Sequence, residues 1–209
     1  LSWNNNTSEL LGSTIEFGDI KLHVLAPDHD VAYENKPKEP DELGVRSDDW
    51  YIDLRTLIDN VDDDDIDEGG TNSQSIIILA ECEGKKLLLP GDSTPKKLCD
   101  ALQSYNKTNG TPLELDFMKL PHHGSTRNVT KNILNEVTCS NFIISTKKNN
   151  KYYFPNKETI AKLIRYRDSA DKAINVYFNY QESLDVLGIT AEELTENNIN
   201  LNVCNEFNF

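Results

Sequence analysis

Apolar and polar positions alternate with period two over Thr14-Ile-Glu-Phe17 and again over Ile20-Lys-Leu-His-Val-Leu-Ala26, with Gly18-Asp19 between them. That pattern predicts a β-hairpin, which Pro27 ends. Residues 28 to 48 are polar and proline-containing and read as a loop, whereas Asp49 to Asn60 has helical apolar spacing behind a leading Asp. From Ser73 the pattern becomes regular. Ser75 to Cys82, built around the apolar run Ile76-Ile-Ile-Leu-Ala80, reads as a buried strand, and after Gly84 a second strand covers Lys86 to Leu89. Thr94-Pro95 is a helix start, with Thr as N-cap and Pro in the first helical position; the helix continues through Leu98, Ala101 and Leu102 and ends at Asn109-Gly110. A strand over Leu113 to Leu120, a short helix over Val129 to Val137 and a strand over Asn141 to Ser145 follow. Asn156 starts a helix through Ile160, Leu163 and Ile164, and Ala173 to Phe178 is another strand. Thr190-Ala-Glu-Glu has the spacing of a capping box, and Leu201 to Cys204 forms a last strand. Hairpins first, then strands alternating with helices, predict a layered α/β fold.

The 209 residues suit one medium domain or a large piece of one. No run of eighteen apolar residues and no basic-then-apolar leader is present, so neither a membrane span nor a signal peptide is expected. The chain begins with Leu, not Met, which implies sequence upstream. The net charge of -14 gives no general attraction to phosphate backbones, so a nucleic-acid role would need a local basic groove or metal ions. Much of the acidity lies in Asp62-Asp63-Asp64-Asp65, Asp67 and Glu68, which lacks the alternation of a calcium loop and reads as a solvated loop. Cys82, Cys99, Cys139 and Cys204 are not near neighbours, so they encode neither a zinc ribbon nor a disulfide framework, and a cytoplasmic location is the expectation.

Two strand ends carry the candidate chemistry. Leu87-Leu-Leu-Pro-Gly-Asp92 ends a strand at a Gly-Asp corner, from which the carboxylate of Asp92 projects and can bridge two metal ions. Taken alone, a Gly-Asp turn is more often structural. Phe117-Met-Lys-Leu-Pro-His-His-Gly-Ser125 ends a strand in twin imidazoles, suited to Zn²⁺, Mn²⁺ or Fe. Adjacent histidines before Gly are rarely a core feature, because two polar rings cannot both be satisfied cheaply inside.

These blocks occur in order: Asn72-Ser-Gln-Ser75, Leu89-Pro-Gly-Asp92, Lys119-Leu-Pro-His-His-Gly-Ser125, Phe142-Ile-Ile-Ser145 and Tyr153-Phe-Pro155. Together they resemble the C-terminal half of metallo-β-lactamase-fold hydrolases, and among these the hydrolase domain of the bacterial DNA-uptake competence channel (ComEC-like) over roughly residues 12 to 180. The resemblance implies an αββα sandwich with metals at one edge, Asp92 bridging them, and His123 or His122 as a ligand. It places Ser125 and Asn128 on a loop suited to a substrate. It also implies a zinc cofactor (two divalent metals in a complete site, manganese being the alternative) and hydrolysis of phosphodiester or related bonds, with the substrate itself open between nucleic acid, a nucleotide and another small molecule, nucleic acid being the less favoured because of the negative charge. Two features depart from the pattern. Phe154 stands before Pro155 where relatives have a His, and the His-x-His-x-Asp-His metal motif of the N-terminal half is absent, since His23 and His29, with Asp28 and Asp30, do not match its spacing. The expectation is therefore a single domain of which this chain is the C-terminal part, active only with its N-terminal half. The competing expectation is a degenerate, non-catalytic binding or regulatory module.

Overall fold

The computed structural model describes residues 12–26, 48–110 and 112–207. His29, Asp28, Asp30 and most of the polar loop lie outside the described residues. The hairpin forms as predicted, β1 (Thr14–Phe17) and β2 (Ile20–Ala26), followed by helix α1 (Leu54–Asp59), β3 (Ile77–Cys82), β4 (Lys85–Leu89) and α2 (Pro95–Asn109). Next come β5 (Leu113–Glu114), β6 (Phe117–Lys119), α3 (Lys131–Asn135), β7 (Val137–Thr138) and β8 (Asn141–Ile144). The chain continues with α4 (Lys157–Tyr166), β9 (Ile174–Phe178), α5 (Gln181–Asp185), α6 (Ala191–Glu196) and β10 (Ile199–Val203). An eight-stranded sheet runs in the order β1-β2-β3-β4-β6-β8-β9-β10, and β5 pairs with β7 in a small second sheet. The large sheet is mixed. It is antiparallel from β1 to β4, and parallel from β4 through β6, β8 and β9 to β10. The α/β class expected from the sequence is the class observed.

One face of this sheet is the core. Ile77, Leu79, Leu88, Met118, Ile144, Val176 and Phe178 are fully buried, under helices that pack α1 on α4 and α3 on both α2 and α4. Ile78, Leu87, Phe117, Ile143 and Tyr177 alternate with them and are half-buried, and Phe117 and Tyr177 stack with Phe207. Among the described residues no second large sheet covers that face.

Local capping explains the helix boundaries. Thr94 accepts from Lys97 N ahead of α2, Thr130 from Ile133 N ahead of α3, and Thr190 with Glu193 completes the capping box of α6. Three expectations are corrected. The helix read from Asp49 onwards begins at Leu54, because Asp53 caps it, and Asp49 instead accepts Glu158 N at the start of α4. The strand read over Leu113 to Leu120 is two strands in two sheets. They part at Asp116, whose carboxylate accepts Lys86 N and the Lys85 ammonium.

The third correction concerns the acidic run, which is a strap held by distant cations and amides. Asp63 pairs at 2.9 Å with the fully buried Lys162, and Asp65 pairs at 2.9 Å with Arg127. Asp62 N donates to Glu158, and Asp67 is buried. Lys162 also donates to the carbonyls of Thr126 and Val129, so its charge is met on several sides, as burial demands.

Candidate metal centre

The two strand-end turns are built against each other. After β4 the chain turns at Gly91, whose φ of 61° is left-handed, and a Cβ there would come within 3.3 Å of Ser75 Cβ and 3.4 Å of the Ile76 carbonyl oxygen. Glycine is required there by conformation and by space. After β6, Pro121 leads into a turn in which His122, His123 and Gly124 have φ of 43°, 60° and 79°. At Gly124 a Cβ would meet the Ile144 side chain at 3.2 Å. Left-handed backbone at two successive histidines is a strained arrangement of the kind that gathers at functional sites, and it needs support from its surroundings. That support includes a direct bond between the turns, His122 N donating to the Gly91 carbonyl at 3.1 Å. Thr159 of α4 also donates to the Gly124 carbonyl, and Thr126 N donates to Asn156 Oδ1.

This junction puts Asp92 beside His123, with His123 Nε2 3.9 Å from Asp92 Oδ1 and both side chains about half exposed. His123 Nδ1 lies 2.7 Å from the Ser145 carbonyl oxygen. A carbonyl only accepts, so Nδ1 carries the proton and Nε2, the nitrogen facing Asp92, is left for a ligand.

His122 is turned into the protein. Its Nδ1 lies 3.2 Å from Asn128 Oδ1 and 3.5 Å from Asp67 Oδ2. The orientation of Asn128 is fixed by its other contacts. Its Nδ2 donates to Asp67 Oδ2 at 2.8 Å and to the Ser93 carbonyl at 3.0 Å, so the atom facing His122 is the oxygen. Nδ1 of His122 therefore donates as well. Burial raises the pKa of the Asp67 carboxyl, but bonds from His122, Asn128, Asn72 and the Gly69 amide outweigh it and hold the group well below the usual carboxylate range. Phe154 sets its ring against both imidazoles, at centroid distances of 5.4 Å to His122 and 6.3 Å to His123.

The structure thus brings Asp92 and His123 together and links His122 to them through the backbone. Ser125 and Asn128, expected to meet substrate, are buried, and Asn128 is committed to Asp67, Ser93 and His122. His23 is held on β2 by Thr14 at 3.0 Å and lies 3.8 Å from Glu81. Among the described residues no three His, Cys, Asp or Glu side chains converge as a metal-binding group. The donor set of Asp92 and His123 fits a borderline cation such as Zn²⁺ in kind and falls short in number, since such sites use three or four protein ligands. Sequence reading missed Asp67, Asn72 as its donor, and Lys119. The Lys119 ammonium donates to the Leu120 carbonyl, and its pKa is lowered by burial against the opposing pull of Asp92. Only the order of motif blocks singled out Asn72 and Lys119, and nothing local singles out Asp67.

No protein-family model matches the chain. It is 28% identical over 120 residues to Recombination protein 2 of Haemophilus influenzae, covering 55% of this chain and 14% of that protein. It is 24% identical over 100 residues to ComE operon protein 3 of Bacillus subtilis, covering 48% of this chain and 12% of that protein. The chain spans only a small part of the length of these curated relatives. Among the described residues no helix is long and apolar enough to cross a membrane. The chain thus has a weak, partial similarity to a competence-operon protein and a recombination protein, confined to a region shorter than either.

Proposed function

We propose that this chain carries the C-terminal portion of a metallo-β-lactamase-type hydrolase site in which Asp92 and His123 are metal ligands. The observation that carries this reading is the junction of the two turns. It sets the free Nε2 of His123 3.9 Å from the Asp92 carboxylate while Ser145 holds the opposite ring nitrogen. Imidazole pinned through Nδ1 to a carbonyl is the arrangement by which proteins aim Nε2 at a cation. His122 Nδ1 is likewise committed, so its Nε2 is the nitrogen that meets a substrate or a second cation. The remaining ligands come, in this reading, from an N-terminal half of the same protein, which also covers the half-buried face of the large sheet. Divalent metals bound there supply activation of water and polarisation of a phosphoryl or carbonyl oxygen. The substrate class proposed is a phosphodiester or related bond. It draws on the resemblance in motif order and on the similarity to Recombination protein 2.

A second reading, a non-catalytic module on the same fold, is favoured by one observation. Phe154 packs an apolar ring against both imidazoles, where a further nitrogen would have strengthened the site. Metal analysis of the full-length gene product separates the two. The hydrolase reading expects about two zinc or manganese ions per chain, lost in Asp92→Ala and in His123→Ala. A metal-free wild-type protein after dialysis against Zn²⁺ and Mn²⁺ overturns it.

A further inference from the structure

We infer that the acidic strap is a positioning device whose inner end, Asp67, fixes the tautomer of His122, keeping the proton on Nδ1 and presenting Nε2 to the site. The inference deepens the reading of the site given above and rests on it for what Nε2 would meet.

Asp67 is 7% exposed, and its carboxylate accepts from Asn72 Nδ2, Asn128 Nδ2 and Gly69 N, each at 2.8 Å. The bond to Asn128 does the directing. With its NH₂ group drawn to Asp67 and Ser93, Asn128 can turn only its oxygen to His122, and Asp67 Oδ2 adds a second acceptor 3.5 Å from the same nitrogen. Asn72 Nδ2, also 3.5 Å from His122 Nδ1, is a donor facing a donor and is spent on Asp67. Asp67 is in turn held from both sides. Its own amide donates to the Arg127 carbonyl, and Arg127 grips Asp65 and the Ile66 carbonyl. The strap therefore joins the turn at His122 to residues 127 and 128 through charge as well as through Asn128. Asp67 is a positioning residue, since it acts through His122.

The test is long-range ¹H–¹⁵N correlation, at alkaline pH, on the metal-free chain labelled at its imidazole nitrogens. His122→Gln and His123→Gln variants assign the signals. The wild type is expected to show both His122 and His123 protonated at Nδ1 alone. In Asp67→Ala the His122 signals move to the mixture of tautomers of a free imidazole, while His123, held by Ser145, keeps its pattern as an internal control. A wild-type His122 protonated at Nε2 overturns the inference whether or not the variant folds. So does a folded Asp67→Ala protein with the His122 pattern unchanged. Zn²⁺ added to the full-length gene product, which supplies the remaining ligands, reads the metal site separately. If Zn²⁺ fails there to move the His123 Nε2 signal, the metal reading falls and the tautomer result stands.

Discussion

Replacing Asp49 by Asn tests whether a buried carboxylate at the foot of the site is tolerated at a cost. Asp49 is 6% exposed and accepts Glu158 N at 2.8 Å, so it caps α4 from a distant part of the chain. Burial pushes its pKa up from 3.8 to about 6, against opposing backbone bonds from Glu158 and Lys157 and with a further push from the Glu158 carboxylate. The folded protein then keeps a proton on this group between about pH 4 and pH 6 that the unfolded chain has already released. Stability is lost as pH rises through that window and stays lower above it. The interval corresponds to a ceiling of about 3 kcal/mol. The positive end of α4 favours the charged form and returns about 0.3–1 kcal/mol of that. Asn keeps an oxygen for Glu158 N and carries no charge. The expected gain of Asp49→Asn over wild type is therefore near zero at pH 4 and about 2 kcal/mol at pH 7, or about 4–8 °C in Tm for a chain of this size. Thermal unfolding of both proteins at several pH values across this range reads it. A difference that does not change with pH, or one in which Asn is worse at pH 7 than at pH 4, refutes the reasoning. The position matters to the site because the same helix end holds the histidine turn, through Thr159 on Gly124 and Asn156 on Thr126.

Gly124→Ala combines a left-handed backbone with a Cβ at 3.2 Å from Ile144, and is expected to cost about 2–4 kcal/mol in denaturant unfolding. A loss under 1 kcal/mol would show that the turn relaxes freely. Lys162→Met removes the buried cation that Asp63 and two carbonyls share. The expected loss is about 2–4 kcal/mol, toward the lower end because Asp63 is partly exposed, and a neutral result would deny the strap its anchor. Arg127→Ala, which removes the Arg127 contacts to Asp65 and the Ile66 carbonyl, should speed amide exchange over residues 63 to 68 while leaving α2 protected, as hydrogen exchange would show.

What the sequence made legible was local. The hairpin, β3, the Thr94-Pro95 helix start and the Thr190 capping box each rest on residues within a few positions of one another, and each is where the pattern put it. Leu113 to Leu120 was misread because its break is set by a distant partner. Asp116 is turned aside to cap Lys85 and Lys86 on a neighbouring strand, some thirty residues back, and no local pattern encodes that. The helix after Asp49 was overextended for the same reason, since that aspartate serves a helix more than a hundred positions on.

The site divides along the same line, and the division bears on how it works. Asp92 and His123 were legible because each sits in a turn whose glycine is demanded by φ and by space, and such turns leave a motif. Asp67 left none. Four consecutive aspartates followed by another look like solvated charge, and only the fold reveals that Lys162, Arg127 and Asn128 reach back across more than sixty positions to hold them. A carboxylate buried at 7% exposure among amide donors is costly to assemble, because every donor has to be in place before the charge is tolerated. The His122 contact therefore forms only when the strap, the histidine turn and the start of α4 have all docked. Loosening the strap should blur the tautomer of His122 before it unfolds the sheet, whose core is built from the strands and the helices packed on them and takes no residue from positions 62 to 68.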